Sequence, residues 1–110
     1  MSLENSKWSL TMQGTETQCT VNFGVNASTT DDHGGYGTLT YHYGGETGDM
    51  AIDIVWITDQ KGNFMFQNKG PTQGATLATY YGTYTDNSAL GWGTNFETAW
   101  GYWRIKMMKQ

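Results

Sequence analysis

Apolar and polar positions alternate along most of this chain with a period of two. Over residues 7–13, Trp8, Leu10 and Met12 share one face while Lys7, Ser9, Thr11 and Gln13 share the other, the pattern of a half-buried strand, and Gly14 ends it. The alternation resumes over residues 18–26, with Cys19, Val21, Phe23 and Val25 pointing one way, so residues 14–17 join two antiparallel strands. Residues 27–35 hold Ser28, Thr29, Thr30, Asp31, Asp32, His33 and two glycines, turn formers that bond to their own backbone, and the longest loop is expected there. Residues 37–43 then place Leu39, Tyr41 and Tyr43 on one face, and Gly44-Gly45-Glu46-Thr47-Gly48 reads as a hairpin loop.

Residues 50–58 break the pattern, because Ile52, Ile54 and Trp56 face Ala51, Val55 and Ile57 across the same strand. Apolar groups on both sides predict a strand covered on both faces, at the centre of the fold or in a subunit contact. A turn at residues 59–62 leads into a strand over 63–68 with Phe64 and Phe66 together, and Lys69-Gly70-Pro71 follows it. Residues 75–85 form a longer strand with Tyr80 and Tyr84 opposite Leu77, Tyr81 and Thr83; after an Asp86-Asn87-Ser88 turn comes a glycine-broken segment at 91–96. The last strand, 97–108, sets Ala99, Trp103, Ile105 and Met107 against Trp100, Tyr102, Arg104 and Lys106.

About seven or eight strands in series, with no room for crossover helices, predict an all-β, single-domain antiparallel fold over residues 1–110, residues 1–6 being a flexible extension. A small up-and-down barrel leaves no free edge, and a two-sheet sandwich fits the same alternation. Tyr36-Gly37-Thr38-Leu39-Thr40 and Tyr81-Gly82-Thr83-Tyr84-Thr85 repeat one motif, with Gly14-Thr15-Glu16-Thr17 as a weaker copy. Each puts a glycine where a strand bends or passes close to its neighbour.

Composition narrows the function classes. With ten Asp and Glu against six Lys and Arg, the net charge of −4 argues against duplex nucleic acid or an anionic membrane surface as partner. A single cysteine, Cys19, excludes an internal disulfide framework and a cysteine-cluster zinc site. No apolar run approaches the ~20 residues of a spanning helix. The opening Met-Ser-Leu-Glu-Asn-Ser-Lys is unlike a signal peptide, so a cytoplasmic location is expected. No nucleophile elbow, phosphate loop or HExxH pattern is present.

At Lys61-Gly62-Asn63-Phe64-Met65-Phe66-Gln67-Asn68-Lys69-Gly70, followed by Gly91-Trp92-Gly93-Thr94-Asn95-Phe96 and the closing aromatic strand, the chain resembles the avidin-like, allene-oxide-cyclase-type small barrels. The likeness covers the C-terminal half and extends to a bacterial branch with a Gly-x-Phe strand before a Gly-x-Gly-Thr segment. It implies a calycin-like barrel with an apolar cavity open at one end, in a group that binds small apolar molecules or guides cyclisations. Neither a biotin-site residue set nor the lipocalin Gly-x-Trp opening is present, and no catalytic residue carries over.

The candidate site residues are chiefly aromatic, since large amphipathic rings with few charges suit a sugar or a flat organic ligand. Trp56, Trp100, Tyr41, Tyr84 and Arg104 are expected to line a cavity or its rim, the Arg104 guanidinium stacking and holding an anionic group. Trp8 and Trp103 lie on clean apolar faces and read as core. Asp53, inside the most apolar strand, would need to be neutralised or paired, with Arg104 as one partner, or would face solvent. If the cavity instead folds a substrate for cyclisation or isomerisation, Asp53, His42 or Tyr43 would move the proton. His42 shares the solvent-side face of Thr38 and Thr40, and His33 beside Asp31 and Asp32 reads as a polar turn. The expectation is therefore a binding module for a small apolar molecule or sugar, with no cofactor, and a homo-oligomer; the alternatives are a cavity-type cyclase and an interaction protein without a ligand.

Overall fold

The computed structural model describes residues 2–68, 78–95 and 101–110. Eight strands follow one another: β1 (Ser6–Met12), β2 (Gln18–Phe23), β3 (His33–His42), β4 (Asp49–Thr58), β5 (Asn63–Asn68), β6 (Thr79–Tyr84), β7 (Ser88–Asn95) and β8 (Gly101–Lys109). Each pairs antiparallel with its sequence neighbours, and β8 returns to β1 through register pairs such as Leu10 with Met107, so the sheet closes into an up-and-down barrel. Closure satisfies the edge hydrogen bonds that a sandwich would leave open, and the sandwich alternative is set aside.

The period-two pattern sorts side chains as expected. Trp8, Leu10, Cys19, Val21, Phe23, Leu39, Ile54, Trp56, Phe64, Phe66, Tyr80, Tyr84, Ile105 and Met107 are all buried inside. An aromatic column runs through them: Trp56 meets Phe23 edge-on at 5.7 Å, Phe23 meets Phe66 at 5.8 Å, Phe66 stacks on Tyr80 at 4.8 Å, and Tyr80 meets Trp103 at 5.9 Å. With little Leu to fill it, the barrel is packed by rings whose edge-to-face contacts add to the area they bury.

Three expectations need correcting. Residues 2–5 are not a free extension: Leu3 is fully buried, the Asn5 amide donates to the Gly24 carbonyl at 3.1 Å, and the Glu4 carboxylate accepts from the Asn26 amide at 3.0 Å. Ser6 Oγ, which donates to the Leu3 carbonyl, also accepts the Trp8 indole N–H at 2.8 Å, so this segment plugs one end of the barrel. β3 starts four residues earlier than its alternation indicates, since His33, Gly34, Gly35 and Tyr36 pair with Thr58, Ile57, Trp56 and Val55. Trp56 lies opposite Gly35 and its indole donates to the Tyr36 carbonyl at 3.2 Å, while a Cβ on Gly35 would lie 2.4 Å from the Val25 carbonyl oxygen, so glycine here admits a close backbone rather than ending the strand. Finally, β4 is not at the centre of the fold, because within one chain it is covered on one face only: Ile54 and Trp56 are buried, but Val55 and Ile57 are exposed on the outer wall.

Candidate functional site

Where β6, β7, β8 and β1 lie side by side, the outward side chains fall into two ranks. Tyr81, Trp92 and Arg104 are register partners in one rank, which continues to Gln13, whose amide donates to the Arg104 carbonyl at 2.9 Å. Thr83, Leu90, Lys106 and Thr11 are partners in the other. Ranks two residues apart stand about 7 Å from each other along the strands. Between them runs the inward-pointing rank Gly82, Gly91, Ile105 and Met12, and these three ranks line a groove of about 540 Å³ on the outer wall.

The floor explains why the groove is there. Gly82 and Gly91 are direct register partners, and a Cβ on Gly82 would lie 2.1 Å from the Leu90 carbonyl oxygen, while one on Gly91 would lie 2.0 Å from that of Tyr81. With no inward side chain at either position the two backbones press together, and the wall sinks between its outward ranks.

Chemistry gathers at the β8 end. The Arg104 guanidinium carbon sits 4.6 Å from the centre of the Trp92 ring, and Tyr102 braces that ring edge-on at 5.3 Å. Lys106 stands in the facing rank, and among the described residues no Asp or Glu lines the groove. In a chain of net charge −4, this is a local cationic surface with a stacking ring and the Thr11 and Thr83 hydroxyls around it. No family model, no curated protein and no solved structure matches this chain.

The expected cavity residues do not form one site. Trp56 and Tyr84 are buried in the core, where the Tyr84 hydroxyl pairs with Thr58 Oγ1 at 3.0 Å. Tyr41 also points inward and shares a hydrogen bond with Tyr80; burial pushes both phenols above their ordinary range, Tyr80 the further. Arg104 is on the outer wall, and Trp100 lies outside the described residues. Among the described residues, the ring that Arg104 stacks on is Trp92.

The candidate proton-moving groups are not brought together either. Asp53 is exposed opposite Thr38, four strands away from Arg104, which corrects the suggestion that the two pair. His42 is exposed, its Nε2 at 2.7 Å from Thr20 Oγ1 and its Nδ1 at 3.1 Å from the Asp49 carboxylate. Tyr43 is exposed at the rim, stacked on Tyr41 at 5.7 Å. Tyr41, Tyr80 and Cys19 do point inward, and burial pushes the Cys19 thiol up to about 11.

Sequence reasoning missed Leu90 and Lys106 as site residues and left Trp92 in a glycine-broken segment. The available signal was the pair of triplets Tyr81-Gly82-Thr83 and Leu90-Gly91-Trp92, each a glycine between two outward groups. Only the register, which sets Gly82 against Gly91, turns those triplets into a groove.

Proposed function

We propose that this protein is a non-catalytic binding module that takes a small, flat, carboxylate-bearing molecule, an acidic sugar above all, in the outer groove between β6 and β1. The observation that carries this reading is Arg104 stacked on Trp92, with Lys106 in the facing rank, in a groove that has no carboxylate among its described residues. A guanidinium held by a ring presents its remaining N–H donors in a plane, which suits a carboxylate. The indole face and threonine hydroxyls suit the apolar and hydroxylated faces of a sugar ring. The likeness to avidin-like barrels implies an interior cavity; the aromatic column that runs through the described interior favours a ligand on the wall instead. The cyclase alternative would move its proton through Asp53, His42 or Tyr43, and all three are exposed.

Titration with glucuronate, with glucose as the neutral control, tests the reading by amide and indole NMR shifts. Glucuronate should move the Gly82 and Gly91 amides and the Trp92 indole, and Arg104→Ala should weaken it by about 10- to 100-fold, the value of a hydrogen bond to a charged group. Equal responses to the two sugars, or shifts confined to other strands, would reject it.

A further inference from the structure

The barrel wall segregates charge by strand. Among the described residues, both strand carboxylates, Asp49 and Asp53, belong to β4, and every strand Lys and Arg, namely Lys7, Arg104, Lys106 and Lys109, belongs to β1 or β8. In a closed meander of eight strands β4 and β8 are four strands apart in either direction, so the acidic and cationic walls are on opposite sides.

Both walls also expose large apolar groups. Around β4 these are Val55 and Ile57, with Tyr36 on β3 and Met65 on β5; on the other wall they are Leu90, Tyr102 and Met108. Patches of this kind on a small domain mark contact surfaces. Pairing either wall with its own copy would set Asp53 against Asp53, or Arg104 against Arg104, at a cost in like-charge repulsion. Only acidic wall on cationic wall brings opposite charges together.

We infer that a second copy of this chain docks its β4 wall on the groove wall, presenting Asp53 to Arg104 and Lys106 while Val55 and Ile57 cover Leu90 and Trp92. The inference rests on the groove being a carboxylate site and names the macromolecular partner that competes with a small acid for it. Because the two complementary surfaces are on opposite sides of one molecule, the contact is heterologous. Assembly runs head to tail into a ring or an open chain, and a two-fold dimer is not formed.

Sedimentation velocity on the full chain tests this with Asp53→Lys and with the double variant Arg104→Glu, Lys106→Glu, all at exposed positions. The unaltered protein should grow beyond a dimer as its concentration rises and should shrink at high salt, because exposed pairs are screened. Each variant alone should remain a monomer, since each keeps one competent wall and lacks the complement. An equimolar mixture of the two should assemble beyond a dimer again, because the unaltered walls still match each other and the two reversed walls match as well. Glucuronate should shift the unaltered protein toward monomer. A chain that is monomeric at every concentration, variants that assemble like the parent, or a mixture that stays monomeric would each overturn the inference. If glucuronate still perturbs Gly82 and Gly91 in such a monomer, the small-ligand reading survives alone; if assembly follows the pattern and glucuronate moves nothing, only the small-ligand reading falls.

Discussion

Single missing side chains shape this barrel as much as the aromatic ones do. Gly37 and Gly82 occupy the same place in the two Tyr-Gly-Thr motifs, and a Cβ on either would lie within 2.0–2.1 Å of a neighbouring strand's carbonyl oxygen. The atoms in the way are backbone, so they cannot rotate aside. Gly82→Ala should therefore cost about 2–4 kcal/mol through forced separation of β6 and β7. Gly14, the glycine of the weaker third motif, does a different job: its φ is +86° and a Cβ there would meet nothing within 4 Å. Gly14→Ala should cost only the left-handed backbone preference, about 1 kcal/mol. Urea unfolding of both variants checks the contrast, and equal losses would mean that the strands are not pressed together. The same logic accounts for Gly93, where the Trp103 ring fills the space a Cβ would need, 2.5 Å away.

At the scale of elements, the inward sets of β1, β2, β5, β6 and β8 were legible because alternation is unambiguous when the outward face is polar. β4 was half legible. Ile52, Ile54 and Trp56 point inward as read, but Ala51, Val55 and Ile57 imitate a second buried face, and periodicity cannot tell an apolar group under a neighbour from one on an open wall. The two faces can be separated experimentally. Ile57→Thr and Val55→Thr, on the outer wall, should change monomer stability by no more than about 0.5 kcal/mol, whereas Ile54→Ala, fully buried, should cost about 2–5 kcal/mol. Thermal melts in dilute solution, where assembly does not contribute, would show it; comparable losses at positions 54 and 57 would put Ile57 inside. β3 and β7 were the least legible, since their glycines read as punctuation although they are positions where a neighbouring backbone, or at Gly93 the Trp103 ring, comes close. The candidate site was missed for a related reason: its residues come from β1, β6, β7 and β8, and the register that unites them is a property of the closed barrel, not of any one segment.

The closed barrel as a whole has consequences for its pH dependence. Its interior holds Cys19, Tyr41 and Tyr80, acids that are neutral when protonated, and burial is the leading reason that each is raised above its ordinary value. A raised acid binds its proton more tightly in the folded chain than in the unfolded one. Its contribution to stability is therefore complete below the unfolded value and is lost as pH climbs through the folded one. For Cys19 that window runs from the ordinary 9.0 to about 11. A displacement of that size corresponds to roughly 2–3 kcal/mol by the end of the window. The phenols act in the same direction at still higher pH. The melting temperature should thus be insensitive to these groups near neutral pH and fall steeply above about pH 9, and Cys19→Ala should move the onset of that fall upward while leaving the neutral melting temperature close to the parent's. A thiol reagent at mildly alkaline pH should likewise label Cys19 only as the barrel opens, because the nucleophilic thiolate is scarce and the side chain is 2% exposed. A flat melting profile up to about pH 11, together with rapid labelling of the folded chain, would mean that water reaches this end of the barrel and that the aromatic column leaves there the interior space that the groove reading denies it.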